Sequence, residues 1–239
     1  MTPAALSVIV PTYNERDSLP VLLARLAHVA PGVVREVVVV DDGSPDGTGA
    51  LAEELARTAP VPIRVVHRPG KAGLASAIMA GVAVASGATV TVMDADLSHP
   101  PELLPDLAAA IAGGADIAVA SRYVPGGGIE AWPVLRRIVS RVATALTRVG
   151  LGLPMRDPLS GYFAVRRTML TADAYRQLGY KLLMEILATH RRARVVEVPY
   201  RFVDRGRGAS KLSSGEIVNF LRLLVDLRLR HRPWNSARS

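Results

Sequence analysis

Asp94 and Asp96 stand one residue apart, directly after an apolar run, in T-V-T-V-M-D-A-D-L-S-H-P-P at 89–101. A β-branched run of that kind suits a strand covered on both faces. Acids at its carboxyl end then fall where open α/β sheets bind ligands. Two such carboxylates repel each other unless a cation lies between them. A divalent ion with hard oxygen ligands, Mg²⁺ or Mn²⁺, meets that need and leaves room in its shell for diphosphate oxygens. A solvated turn capping the helix after Pro101 would use the same residue types, so the other motifs have to decide.

Three further clusters follow strand-like runs. P-T-Y-N-E-R at 11–16 occupies the place where a dinucleotide-binding fold carries a glycine-rich turn, which argues against a Rossmann dehydrogenase. Tyr13 there offers a ring to stack on a base, while Asn14 and Glu15 offer polar contacts to base or ribose. The run 37–40 opens into D-D-G-S-P-D-G-T at 41–48. Asp42 projects from that strand end and can accept hydrogen bonds from a base or a ribose hydroxyl, and Asp46 or Thr48 suits a helix cap. R-P-G-K-A-G-L-A at 68–75 sets Arg68 and Lys71 beside glycines at a helix start, either an anion site or a solvated basic loop.

The elements that must position these residues are strand patterns at 6–10, 34–40, 63–66, 89–93 and 117–121, with helical stretches between them. That alternation is the signature of a parallel sheet covered on both faces. Residues 132–151 read as an aromatic-headed amphipathic helix, with Ile138, Val142, Ala145 and Leu146 on one face and Arg137, Arg141 and Arg148 among the polar positions. Such a helix fits a membrane surface or a core-facing position equally well. Residues 180–187 suit a structural helix, and Ser213, Ser214 and Glu216 suit a cap for a helix over 217–229 that ends in R-L-R-H-R.

The 239 residues suffice for one substantial α/β core with a C-terminal appendage. There is no cysteine, so disulfides and thiolate metal sites are excluded and oxygen ligands remain. A net charge of +8 and a pI near 10.4 suit polyanionic partners: nucleic acid, anionic headgroups or phosphorylated substrates. Lysine occurs only at Lys71, Lys181 and Lys211; the other basic residues are arginines, the better bidentate phosphate ligands. Nucleic acid is disfavoured, because no helix-turn-helix, zinc or RNA-binding signature occurs and the acid pair would be left without a role. No run of 18 or more apolar residues is present, and residues 1–5 lead straight into a strand without a leader-like pattern, so a cytoplasmic chain is expected.

P-T-Y-N-E, D-D-G-S-P-D-G-T and D-A-D-L-S-H-P-P, in this order, resemble the family 2 inverting glycosyltransferases. Their subgroup of dolichyl- or polyprenyl-phosphate mannose synthases is matched further by S-R-Y-V-P-G-G-G at 121–128, G-I-E-A-W-P-V-L-R-R at 128–137, D-P-L-S-G-Y-F-A-V-R-R at 157–167, G-Y-K-L-L-M-E-I-L at 179–187 and V-E-V-P-Y-R-F-V-D-R-G-R-G-A-S-K-L at 196–212. The resemblance covers nearly the whole chain. It implies a nucleotide-sugar transferase (GT-A type) α/β fold with a mainly parallel central sheet covered by helices, a catalytic domain over 1–212, and a C-terminal amphipathic helix and basic tail over 213–239. It implies a donor site of Pro11, Tyr13, Glu15, Val40, Asp42, Asp94, Ala95 and Asp96 for GDP-mannose, and a metal held by Asp94, Asp96 and Ser98. It implies an acceptor-phosphate cluster of Arg122, Arg136, Arg205 and Lys211, with Asp94, Asp96 and Arg122 as the catalytic set. Some members carry glutamine where Ser98 stands, and Ala209 replaces a common acid. Family members often continue into transmembrane helices or borrow an anchoring partner, so the chain is expected at the cytoplasmic face of a membrane, with the membrane surface as a partner and its tail on either anionic lipid or an anchoring membrane protein. Residues 157–166 are expected to open a strand on the acceptor side.

The basic cluster also follows from the acceptor's chemistry. A phosphate monoester is mostly dianionic at neutral pH, its second pKa being about 6, so its oxygen attacks an anomeric carbon without a strong general base. It needs help in approaching another anion. Arginines around the acceptor offset that repulsion and fix the attacking oxygen.

Overall fold

A computed structural model of the chain describes residues 5–29, 31–171, 175, 181–203 and 214–230. The five expected strands form as β1 (Leu6–Thr12), β2 (Val34–Asp41), β3 (Ile63–His67), β4 (Thr89–Val92) and β5 (Ile117–Ser121), each end within two residues of its sequence pattern. Between them run α1 (Leu19–Val29), α2 (Thr48–Ala56), α3 (Leu74–Val84) and α4 (Leu104–Ala112). The second half adds β6 (Gly128–Glu130), α5 (Val134–Leu151), β7 (Phe163–Arg166), α6 (Leu182–Thr189), β8 (Val195–Pro199), β9 (Arg201–Val203) and α7 (Ser214–Arg230).

Seven strands make one sheet in the order β3-β2-β1-β4-β7-β5-β8. All pairs are parallel except those of β7, which enters antiparallel between β4 and β5, with Val165 opposite both Val90 and Ile117. The chain returns from the outer strand β3 to lay β4 against the other side of β1. This reversal opens a crevice at the carboxyl ends of β1 and β4, the place where such sheets bind ligands. A separate two-stranded sheet pairs β6 with β9 in parallel.

Continuous apolar strands are needed because both faces are covered. The period-2 pleat sends Val38 and Val40 into the core under α3 and α6, and Val37 and Val39 into the core under α1 and α4. Gly81 lets α3 lie close on the sheet, since a Cβ there would stand 2.6 Å from Ile9 Cγ2. At the opposite, amino ends of the strands, the buried Glu36 carboxylate accepts from Ser7 Oγ at 2.7 Å and from Ser86 N at 2.6 Å, and meets Arg64 Nε at 3.1 Å.

The helix expected over 132–151 forms as α5, and its apolar side faces outward. Val134, Leu135, Ile138, Val142, Leu146 and Val149 are exposed, whereas Thr144, Thr147 and Leu151 are buried. The core-facing alternative is thereby overturned for Ile138, Val142, Ala145 and Leu146. α7 packs beside α5, with Leu224 against Gly150 and Leu227 in the core, and exposes Ile217, Val218, Leu221, Val225 and Leu229. The cap expected from Ser213, Ser214 and Glu216, like the boundary at 212–213 and the tail after 230, lies outside the residues or side chains described. Among the described residues no helix is long and apolar enough to cross a membrane.

Candidate active site

β1, β2 and β3 deliver their ends side by side, and this brings three separate sequence motifs together. Pro11 and Val40 are register partners at the rim of the sheet. Asp41 is consumed by the fold: its Oδ1 accepts from Thr12 Oγ1 at 3.2 Å and from Ser44 Oγ at 2.5 Å. Asp42 instead meets the next strand's loop, its Oδ1 at 2.6 Å from Arg68 Nη1 while Arg68 Nη2 donates to Ser76 Oγ at 2.7 Å. Burial raises the Asp42 carboxyl above its ordinary pKa even against the opposing pull of Arg68. Lys71 Nζ lies 3.5 Å from the centre of the half-exposed Tyr13 ring. Arg68 and Lys71 thus stand together with Tyr13 and Asp42, which the sequence left open.

The first and second turns are sewn to each other. Asn14, in the left-handed region at φ 59, donates its N–H to Ser44 Oγ at 3.1 Å, and Glu15 N–H donates to Thr48 Oγ1 at 3.0 Å. The Glu15 carboxylate accepts from Ser18 Oγ at 2.5 Å at the start of α1. Asp46 serves the turn before α2, accepting from Thr48 N at 2.9 Å and Thr48 Oγ1 at 2.6 Å.

The D-x-D turn follows β4 at the switch point. Met93 N–H still donates to Ile9 O at 3.1 Å, extending the ladder one residue, and Asp94 then leaves the sheet. Ala95 is buried. Asp96 Oδ1 accepts from Ser98 N at 3.0 Å and from Ser98 Oγ at 2.5 Å, so Ser98 braces the second acid. Leu97 between them has φ 61, and His99 returns beneath Asp94 to accept its N–H at 2.9 Å on Nδ1. The donor set, two carboxylates and a hydroxyl, is all hard oxygen and fits Mg²⁺ or Mn²⁺. Among the described residues no group of three or more His, Cys, Asp or Glu side chains could hold a metal. Asp94, Asp96 and Ser98 would therefore hold such an ion by a partial shell, the usual case for Mg²⁺ completed by substrate phosphates.

On the far side of β4, Arg122 follows β5 and is locked by Asp157. Its Nε and Nη2 each donate to that carboxylate at 2.8 Å, and its own N–H does so at 3.0 Å. Burial pulls the Arg122 guanidinium down, but Asp157 more than offsets this and holds it charged. Asp157 is fully buried, and its loop is pinned because Arg156 N and Asp157 N donate to Glu197 at 2.7 and 2.9 Å. Arg136 lies over the Trp132 ring at 4.1 Å from its centre and Arg122 at 5.8 Å, so two of the four expected acceptor cations share one aromatic platform. Arg205 and Lys211 lie outside the described residues.

Sequence reasoning missed Asp157 as the anchor of Arg122, and His99 as the support of Asp94. Both stand inside quoted motifs, but nothing local distinguishes either from a turn residue.

The ends of β1, β2 and β3 thus bring Tyr13, Asp42, Arg68 and Lys71 together, and the D-x-D turn follows β4 beside them. Residues 7–172 match the sequence model of Glycosyl transferase family 2, and the chain belongs to that family. It is 45% identical over 223 residues to the dolichol-phosphate mannosyltransferase of Pyrococcus furiosus, a match covering 92% of this chain and 63% of that protein. It is 43% identical over 233 residues to the polyprenol monophosphomannose synthase of Mycolicibacterium smegmatis, covering 94% of this chain and 87% of that one. The chain thus spans less than two thirds of the Pyrococcus protein. Glucosyl-3-phosphoglycerate synthase of Mycobacterium tuberculosis, crystallised with Mn²⁺, UDP and glucosyl-3-phosphoglycerate, shares the fold at a TM-score of 0.65 and 22% identity, over 98% of this chain and 82% of that one.

Proposed function

We propose that the protein transfers mannose from GDP-mannose to a polyprenyl or dolichyl phosphate with inversion at the anomeric carbon, while resting on the cytoplasmic face of a membrane. The observation that carries this reading is the pair Arg122 and Arg136 on the Trp132 platform, set across β4 from the Tyr13, Asp42, Arg68 and Lys71 wall. Relatives named for mannosyl transfer to lipid phosphates match this chain through both halves.

In this reading Tyr13 stacks on the base, with Asp42 receiving base or ribose hydroxyls. Asp94 and Asp96 would hold Mg²⁺ or Mn²⁺, which when bound neutralises charge on the departing nucleoside diphosphate. Arg136 and the outer edge of Arg122 draw in the acceptor phosphate and offset its repulsion from the diphosphate. The acceptor oxygen is already ionised, so no side chain has to remove a proton from it. Asp157 keeps Arg122 charged and aimed. The exposed apolar sides of α5 and α7, flanked by Arg137, Arg141 and Arg222, suit insertion among lipid headgroups, with or without an anchoring protein.

The test is mass analysis of the lipid product after incubation with prenyl phosphate and a panel of labelled nucleotide sugars. Hexosyl-phosphoprenol from GDP-mannose alone is the expected result. Product only from UDP-glucose or another donor would move the donor assignment, and equal use of a prenyl alcohol would remove the phosphate role of the arginines. Asp96→Ala should lower transfer by at least about a hundredfold, the size of losing one element of a preorganised charge-stabilising site, with the unfolding midpoint little changed. Near-normal transfer by that variant would overturn the metal assignment.

A further inference from the structure

We infer that His99 is a positioning residue for the D-x-D turn, its Nδ1 holding the main chain of Asp94 so that both carboxylates stand ready before the metal arrives. The inference rests on the reading of Asp94 and Asp96 as metal ligands.

The ring is buried at 2% exposure and stacks on Tyr162, with centres 4.9 Å apart and planes at 21°. Tyr200 and Phe202 close its edges at 6.2 and 6.3 Å. Gly161 lies against the ring edge that carries both nitrogens, where a Cβ would stand 3.4 Å from His99 Cε1 and 3.8 Å from Asp94 Oδ2. The neighbouring backbone is fastened as well, since Tyr162 Oη donates to Pro100 O at 2.9 Å. Such a cage fixes the ring plane, and the ring plane fixes the direction of Nδ1. Nδ1 accepts from Asp94 N at 2.9 Å, so the proton resides on Nε2, which lies 3.7 Å from Asp94 Oδ2. That second distance is too long for a hydrogen bond.

The turn needs such closure. Leu97 occupies the left-handed region, uncommon for a residue with a branched side chain. It is held there from two sides, by Ser98 on Asp96 and by His99 on Asp94. Groups behind metal ligands typically change metal affinity about 10–100-fold when lost, and His99 stands in that relation to Asp94.

The experiment titrates Mn²⁺ by electron paramagnetic resonance in the presence of GDP, beside thermal unfolding, for the wild type, His99→Phe and His99→Asn. Phe keeps the stacked ring but sets a C–H against the Asp94 N–H. Asn loses the ring but places its amide oxygen where Nδ1 stood. The expected outcome is crossed: His99→Phe is folded and stable yet binds Mn²⁺ about 10–100-fold more weakly, whereas His99→Asn melts earlier yet keeps near-normal Mn²⁺ affinity. A merely structural histidine would make affinity follow stability. Should His99→Phe fail to fold, His99→Gln takes its place, because its amide sits one bond too far and is expected to lose affinity likewise. Wild-type affinity in His99→Phe or His99→Gln, or a loss in His99→Asn as large as theirs, would overturn the inference. A wild type that binds no Mn²⁺ with GDP would overturn the metal reading itself and this inference with it.

Discussion

Two buried ion pairs flank β4, and they are built in opposite senses. On the donor side the acid Asp42 is the expected substrate contact and Arg68 supports it through one short contact, Nη1 to Oδ1 at 2.6 Å, with the other nitrogen on Ser76. On the acceptor side the arginine is the expected contact and Asp157 supports it through two side-chain bonds and one from the main chain. The first pair can rearrange when a hydroxyl competes for the carboxylate, and burial has already raised that carboxyl's pKa. The second cannot rearrange without unpinning a loop. In the proposed function, the difference matches the compliant pair to a polar, hydrogen-bonding nucleotide. A site for an attacking phosphate calls for a cation whose position is fixed beforehand.

The sharpest way to break this contrast is Asp157→Ala. It strands a buried guanidinium, and breaking a buried pair from one side costs about 3–5 kcal/mol, so a large fall in the urea midpoint is expected. A loss below about 1 kcal/mol would make the pair an ordinary solvated one. Asp42→Ala should act the other way round, with a smaller effect on stability. Loss of a charged hydrogen bond, about 1.5–3 kcal/mol, should weaken GDP binding by calorimetry about tenfold to a hundredfold. If unfolding shifted more than binding, Asp42 would be a support rather than a contact.

The smallest effect serves as the control for burial alone. Glu36 lies at the amino ends of the strands, away from both pairs. Burial pushes its carboxyl up, but the bonds from Ser7 and Ser86 and the charge of Arg64 outweigh this and hold it below the ordinary 4.5. A carboxyl lowered in the folded state contributes stability that is present above pH 4.5 and lost as pH falls through the lower folded value. Glu36→Gln should therefore flatten the acid limb of the stability curve while transfer activity at neutral pH stays unchanged. An unaltered acid limb would show that this network contributes nothing to acid stability.

The donor half was far more legible in the sequence than the acceptor half. Val37–Val40 and Val90–Val92 announce buried strands by composition alone, and the acids after them fall at strand ends by simple continuation. Tyr13 and Lys71 could not be joined by sequence, because their contact depends on β1, β2 and β3 ending in register. The antiparallel entry of β7 was invisible, since Phe163–Arg166 has no feature that sets its direction. β6 and β9 are three residues each, too short for alternation to register. The Arg122–Asp157 pair joins residues 35 apart and is created only when β5 and the loop before β7 are laid side by side. The amphipathic pattern of α5 was plain, but which side faced the core was not; Thr144, Thr147 and Leu151 turned inward and Ile138, Val142 and Leu146 outward.

The insertion of β7 also sets a timetable for synthesis. All donor motifs are translated by Asp96, and β4 can already pair with β1, yet its other edge is covered only when Arg166 comes opposite Thr89. At about 5–20 residues per second this leaves several seconds in which β4 and β5 have an unpaired hydrophobic edge. Open strand edges are templates for association with other chains. A nascent chain stopped after α5 would therefore contain every residue of the donor wall and still expose strand edges open to association. β7 is the strand that closes this gap between the two parts of the sheet.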